Sequence, residues 1–273
     1  MQVMDLGAVE GHVMLFGGPY SNLPALDAAM SEADRRGIPP ARRICTGDVV
    51  AYGAQPAACV ARLRDLGVAV IAGNCERQLA SGATDCGCGF AEGSTCDLLS
   101  AGWFAHADAA IDAADRHWMR DLPDMIVFRQ GARRFAVIHG GATDIARFLW
   151  PMSPASDFDH EVAAITAAAG PVDAVIAGHS GVDFIRRVSD VLWINAGVIG
   201  MPPNDGHPAT RFAILDQGEA RIETLHYDHH HAARTMRDAG LTQGYDRALE
   251  TGYWPSEEVL PPALRRSASS ASG

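Results

Sequence analysis

HVMLFGGPYSNLPALDAAM, residues His12 to Met30, is the stretch whose reading decides the fold. An apolar run ends in a tight turn, and an apolar pattern with helical spacing follows. A strand that runs through a turn into a helix is the junction at which α/β enzymes set side chains for chemistry. Here the turn holds Gly17, Gly18, Pro19 and Tyr20, with no carboxylate and no imidazole.

Other segments repeat the pattern. RRICTGDVVAYG, VAVIAGNCE, RRFAVIHGGA, VDAVIAGHSG and VLWINAGVIG are apolar runs that end in Gly-containing polar turns. Runs rich in Val and Ile, without alternation, predict strands buried on both faces. LPALDAAMSEADRRG, PAACVARLRDLG and DHEVAAITAAAG predict helices, each closed by a Gly. RFAILDQGEARIETLHYD predicts a hairpin turning at DQGEA, followed by terminal helices and a Pro-rich wrap. The expected organisation is one domain over residues 1–264 and a disordered tail over 265–273, because RRSASSASG is small and polar.

Composition narrows the partners. At 273 residues with 48% hydrophobic content, the chain is long enough to bury a full core. A net charge of −11 argues against a nucleic-acid polymer, which is held by clustered cations, and leaves a small phosphorylated molecule as the expected partner. No apolar run reaches the roughly 20 residues that span a bilayer. The start MQVMDLGAVEG lacks a basic region followed by an apolar one. No membrane partner and a cytoplasmic location are expected, with the six cysteines present as thiols or metal ligands.

Four strand ends carry Asp48, Asn74, His139 and His179, each beside glycine. Taken singly, Asp and Asn are ordinary turn formers and a lone His is a polar strand end. Recurrence at four buried strands, where α/β sheets place their sites, points instead to one N/O site for Mn²⁺, Fe²⁺ or Zn²⁺.

GDVVAYG, GNCE, HGGATDIARFLWP, GHSG and INAGVIGMPPNDGHPATRFAILD occur in an order and spacing that resembles the calcineurin-like metallophosphoesterases, especially compact bacterial phosphodiesterase-type members. The similarity runs from about residue 12 to about residue 245. It implies a four-layer α/β/β/α sandwich and a pair of metals bridged by the Asp of the G-D motif. Asp48 then corresponds to the bridging carboxylate, and Asn74, His139 and His179 complete the second metal site. SNLPAL aligns with the residues that follow the family's D-x-H, which sets Gly18 at the Asp position and Tyr20 at the His position. The last His of the family's G-H-T-H falls on Gly181. All three ligands unique to the first metal are absent together, so the resemblance implies one divalent ion.

Several side chains keep two readings. Tyr20 is a phosphate donor or a ring that fills vacated space. Cys75, where the family often has a proton-donating His, is a proton donor, a soft-metal ligand or a small hydrophobe. Cys86, Cys88 and Cys96 are a candidate second metal site, reduced structural thiols or a disulfide source. Arg77 and Arg147 hold phosphate oxygens or surface ion pairs. His229, His230 and His231 begin a solvated helix rather than a metal site, since consecutive helical residues face different ways. The expected activity is single-metal hydrolysis of a phosphate mono- or diester, or of a dinucleotide polyphosphate, with Tyr20, Cys75 and Arg147 as its catalytic side chains. The alternatives are a binding or regulatory protein that has given up turnover, and non-phosphatase chemistry at a cysteine-held metal.

Overall fold

The structure is a computed structural model that describes residues 1–89 and 93–266. Its strands are β1 (Val3–Ala8), β2 (Val13–Phe16), β3 (Arg43–Cys45), β4 (Ala69–Val70), β5 (Met125–Gln130), β6 (Arg133–Val137), β7 (Ala174–Ala177), β8 (Phe184–Val188), β9 (Val191–Asn195), β10 (Thr210–Asp216) and β11 (Glu219–Leu225). Its helices are α1 (Leu23–Arg35), α2 (Pro56–Leu66), α3 (Asn74–Ser81), α4 (Thr95–Ala110), α5 (Ala113–Asp121), α6 (Ala155–Ala169), α7 (His229–Asp238) and α8 (Tyr245–Thr251). Among the described residues no helix is long and apolar enough to cross a membrane.

The strands form two sheets, ordered β1-β5-β6-β7-β9-β8 and β11-β10-β2-β3-β4. Period-two alternation decides what each face covers. In β2, Val13 and Leu15 enter the core between the sheets, and Met14 and Phe16 face the helices outside. In β6, Phe135 and Val137 point between the sheets, where Phe135 stacks on Phe128 at 5.0 Å, while Ala136 faces the layer containing Phe158 of α6. Helices therefore cover both outer faces, and the architecture is the expected α/β/β/α sandwich. The parallel pairs β2–β3, β3–β4, β6–β7 and β7–β9 bring the polar ends of several strands to the same edge of the sandwich.

The six apolar runs read as core strands fall on β2, β3, β4, β6, β7 and β9. The hairpin β10–β11 turns through Gln217 and Gly218, with φ of 50° and 82°, the doubly left-handed geometry that suits a two-residue connection. Strands β1, β5 and β8 and helices α3, α4 and α5 were not legible beforehand. β1 is an exposed edge strand, and β8 carries Arg186 and Arg187 between buried ends, so neither presents a long apolar run. At the C-terminal end, Arg265 donates to the Leu260 carbonyl and Arg266 pairs with Glu257 at 3.0 Å, so the chain is anchored two residues beyond the expected boundary at 264. The rest of the expected tail, 267–273, lies outside the described residues.

Candidate metal centre

Asp48 leaves β3 with a left-handed backbone, φ 53°, after Gly47 at φ 93°. A side chain at Gly47 would stand 2.6 Å from the Gly73 nitrogen and 2.9 Å from His139 Nδ1, so this turn is open only to glycine. Glu76 fixes it from below: one carboxylate oxygen accepts from the amides of Asp48 (2.8 Å) and Gly73 (2.9 Å), and the other from Val50 (3.1 Å). The Cys75 amide at the start of α3 reaches Asp48 Oδ1 at 3.4 Å, leaving Oδ2 toward the imidazoles. The loops after β6 and β7 are joined as well, because the Gly178 and His179 amides both donate to the His139 carbonyl.

Four side-chain atoms then meet. His139 Nε2 lies 3.0 Å from Asn74 Oδ1, 2.9 Å from His179 Nδ1 and 3.3 Å from Asp48 Oδ2. His179 Nδ1 lies 3.8 Å from the same carboxylate oxygen. All four side chains are buried. His139 Nδ1 donates to the Thr46 carbonyl at 2.6 Å, so in the neutral ring the proton is on Nδ1 and Nε2 presents a lone pair. Asn74 Nδ2 donates to the Cys86 carbonyl at 2.8 Å and to Cys88 Sγ at 3.3 Å, which turns Oδ1 toward His139. Lone pairs that converge in a buried space need a cation or a proton between them. Ligand atoms of a tetrahedral ion at about 2 Å stand roughly 3.3 Å apart, so this donor set fits a divalent metal.

Charge follows the same geometry. Burial opposes ionisation of Asp48, but the two imidazoles hold its carboxyl far below the usual carboxylate range. Burial also opposes protonation of His139, yet the Asp48 charge and the Thr46 carbonyl keep that imidazole above its ordinary value. Burial, reinforced by the charge of His139, lowers His179. Burial and the Asp48 charge raise Glu76 to about 7.

Beside these atoms the space is filled differently. Gly18 lies under the Tyr20 ring, and a Cβ there would be 2.6 Å from it. Gly181, at φ +75°, lies under the Trp254 indole, and its Cβ would be 3.3 Å from that ring. Tyr20 is buried, packs edge-on to Tyr52 at 4.8 Å and makes no hydroxyl hydrogen bond among the described residues. A cleft of about 600 Å³, counting its open mouth, lies here, lined by Asp48, His179 and Tyr20 together with Tyr52, Phe148, Tyr245 and Trp254.

The remaining candidates stand apart. Cys75 is buried in α3, with its sulfur 3.6 Å from Asn74 Nδ2. Contact with Cys88 favours its thiolate, but burial and the nearby Asp48 and Glu76 charges outweigh this and keep the thiol well above its ordinary value. Arg147 pairs with Glu161 (3.3 Å) and Asp157 (3.5 Å) on α6 and does not line the cleft; its neighbour Phe148 does, against the His179 ring at 4.4 Å. Arg77 holds the Arg120 and Leu122 carbonyls and Asp124, as an ion pair at the end of α5. Among the described residues only Asp48, His139 and His179 bring three His, Cys or carboxylate ligand atoms within 4.8 Å of one another. The candidate second metal at Cys86, Cys88 and Cys96 is therefore not assembled. Cys96, in the first turn of α4, reaches Ser256 Oγ at 3.4 Å, while Cys88 faces Asn74. His229–His231 open α7 behind an Asp228 cap, as a solvated helix start. Tyr52, Phe148, Tyr245 and Trp254 were missed by sequence reasoning; the available signal was aromatic density in ARFLWP and TGYWP.

A family model described as the calcineurin-like phosphoesterase superfamily domain matches residues 21–220, a span that begins just after Tyr20. The fold is similar to a metallophosphoesterase from Sphaerobacter thermophilus, with a TM-score of 0.68 at 20% identity, covering 89% of this chain and 100% of that one. It is also similar to a hypothetical protein from Pyrococcus horikoshii OT3, with a TM-score of 0.72 at 18% identity, covering 89% and 99%. In sequence, an uncharacterized protein from Methanocaldococcus jannaschii is 38% identical over 66 residues, which are 24% of this chain and 26% of that relative's length.

Proposed function

The chain belongs to the calcineurin-like phosphoesterase superfamily, and from that premise we propose that it hydrolyses a phosphate mono- or diester with one divalent ion held by Asp48, Asn74, His139 and His179. The observation that carries this reading is the convergence of four buried N/O atoms, with the His139 Nδ1 proton already committed to Thr46. Mn²⁺, Fe²⁺ or Zn²⁺ suits such a donor set. When bound, the ion supplies Lewis acidity to a phosphoryl oxygen and lowers the pKa of water.

The chain's own groups do the rest. Asn74 and His139 are locked by the Cys86 and Thr46 carbonyls, so the ligand geometry is set before substrate arrives. Tyr20 lines the cleft with a hydroxyl that bonds to none of the described residues, and burial, with the Asp48 charge, keeps that phenol protonated, so it is the donor for a phosphoryl or leaving oxygen. Cys75 and Arg147 act by position. Cys75 touches the Asn74 amide, and Arg147 braces Glu161, which accepts from the Ala142 and Thr143 amides in the loop that follows His139. Phe148, over the His179 ring, and Trp254 line the cleft beside these ligands.

A second reading is favoured by a specific observation. Gly18 and Gly181 lie under aromatic rings, so the groups that would complete a two-metal clamp are replaced by packing. A protein that binds a phosphorylated ligand without turnover fits that replacement. Metal analysis of protein purified without added metal, followed by bis(4-nitrophenyl) phosphate and 4-nitrophenyl phosphate assays, separates the readings. About one ion per chain with metal-dependent release of 4-nitrophenol supports the hydrolase. One ion with no release supports the binding protein, and absence of any ion after Mn²⁺, Fe²⁺ and Zn²⁺ titration overturns both.

A further inference from the structure

Tyr52, Phe148, Tyr245 and Trp254 each remain partly exposed, and all four line the cleft next to His179 and Asp48. They come from four separate places: the loop after β3, the loop after β6, helix α8 and the segment beyond it. Open aromatic faces gathered from distant segments are surface that a ligand can bury.

Two of the faces are fixed in advance. The Trp254 amide donates to Asn204 Oδ1 at 2.8 Å and its indole nitrogen to the Pro202 carbonyl at 2.7 Å, which sets both the backbone and the ring plane. Phe148 is stacked on Trp150 at 5.5 Å and 6°, and tilts over the His179 imidazole at 4.4 Å. Tyr245 packs against Tyr52 at 4.5 Å. A flat ligand entering here meets rings that need little reordering.

The charges say what such a ligand lacks. All 22 basic residues of the chain are arginine, and none lines the cleft; among the described residues Asp48 is the one carboxylate in its lining. A single phosphoryl group is answered by the ion of the proposed function. A further anionic group would enter a site with no guanidinium to meet it and would face desolvation unpaired. We infer that the cleft selects phosphoesters that carry one flat, uncharged aromatic group, seated against Trp254, Phe148 and Tyr245 beside the metal ligands. This rests on the hydrolase reading for its chemistry: water adds to phosphorus, the P–O bond to the ester group breaks, and that oxygen leaves with a proton as an alcohol or phenol.

Phosphonates test the selection without turnover, because their P–C bond is not hydrolysed. Calorimetric titration of the Mn²⁺-loaded protein compares methylphosphonate, phenylphosphonate and 4-carboxyphenylphosphonate, which share one headgroup. Phenylphosphonate is expected to bind at least about tenfold more tightly than methylphosphonate, with the carboxylated ring losing most of that gain. Trp254→Ala should cut the phenyl preference to within about threefold at unchanged metal content, and Tyr245→Leu, which keeps apolar volume, should reduce it as well. Equal binding of phenyl and methyl, absence of binding by any of the three, a carboxylated ring that binds more tightly than the plain one, or a full preference in both variants overturns the inference. Hydrolysis is scored separately. Phenyl preference without turnover of any ester defeats the hydrolase reading alone, and equal KM for phenyl phosphate and methyl phosphate, read as phosphate release at good turnover, defeats the selection alone.

Discussion

The two sides of the cleft were built by opposite means. On one, Asp48, Asn74, His139 and His179 bring lone pairs to within 2.9–3.8 Å, and the atoms behind them are tied to backbone carbonyls and amides. On the other, Gly18 and Gly181 present only backbone, and Tyr20 and Trp254 cover it with rings. The polar side is held by directional bonds and needs a cation to be complete; the apolar side is held by packing and is complete without one. The contrast teaches that two sides of one cleft can be organised independently, one by directional bonds around converging lone pairs and the other by aromatic packing over glycine.

The largest expected effect comes from breaking the polar side. His139→Ala removes the atom that touches all three other donors, so bound metal should fall from about one ion per chain to near zero, and any phosphoester turnover should fall at least about a hundredfold. Elemental analysis and a 4-nitrophenyl ester assay check this together. Metal retained at wild-type level would mean that Asp48 and His179 bind it elsewhere, and the contrast between the two sides would lose its basis. The same logic predicts that adding Mn²⁺ or Zn²⁺ to metal-stripped protein raises its thermal midpoint, and that the His139→Ala protein shows no such rise.

The next effect tests the apolar side by trying to reverse it. Gly18→Asp, Tyr20→His and Gly181→His together restore the side-chain types that the family resemblance places there. They should nevertheless fail to recruit a second ion. Gly18 has φ +31° and Gly181 has φ +75°, and a Cβ at 181 meets the Trp254 indole at 3.3 Å. The expected cost is about 1–3 kcal/mol per strained position, seen as a lower thermal midpoint. A second equivalent of Mn²⁺ with increased diester turnover would show that the rings merely occupy the old site. Adding Trp254→Ala sharpens the result, because it removes the obstacle and leaves only the backbone strain.

These two sides were unequally visible in the sequence. Asp48, Asn74, His139 and His179 each close a buried apolar run beside glycine, so residue type, position and strand pattern agreed before any coordinates. The strands themselves were legible for the same reason, except where burial was one-sided or absent, as in β1 and β8. The absence of ligands at Gly18, Tyr20 and Gly181 was legible, but what fills their place was not. Trp254 lies 73 positions beyond Gly181 in the chain, and nothing local in TGYWP indicates that its ring returns to that glycine. Arg147 and Phe148 make the same point within two residues. The charged one looks like a phosphate ligand and braces a helix, while the apolar one reaches the cleft. Polar chemistry has a sequence signature in residue type; apolar chemistry depends on which distant surfaces meet.

A smaller effect is expected where the polar side is supported rather than formed. Cys88→Ala removes one of the three acceptors around the Asn74 amide, leaving the Cys86 carbonyl at 2.8 Å and the Cys75 sulfur at 3.6 Å to hold it. Support of this kind typically changes metal affinity by 10–100-fold when lost entirely. With the Cys86 carbonyl and the Cys75 sulfur kept, the expected loss is about tenfold or less, measured by competition with a chelator. Cys96→Ala, whose sulfur bonds Ser256 instead, should leave metal affinity unchanged. If Cys96→Ala weakens metal as much as Cys88→Ala does, the thiols act as a group, and the orienting role given to Cys88 is wrong.

The smallest effect belongs to Arg147, and it separates bracing from binding. Its guanidinium sits 3.3 Å from Glu161, whose side chain is fully buried and also accepts from the Ala142 and Thr143 amides and the Thr143 hydroxyl. Removing the arginine leaves those three donors in place, so the carboxylate keeps partners and the loss is limited to the two ion pairs of one partly exposed guanidinium. Arg147→Ala should cost about 1 kcal/mol in stability, with metal content unchanged and KM for a small phosphoester within about twofold. Arg147→Lys should recover only part of the stability, since an ammonium cannot reproduce the planar fork toward Glu161 and Asp157. A rise in KM of tenfold or more, with stability intact, would instead place this arginine on the substrate. It would also put a cation within reach of the cleft, and the distinction between a polar, ion-holding side and an uncharged aromatic one would have to be redrawn around it.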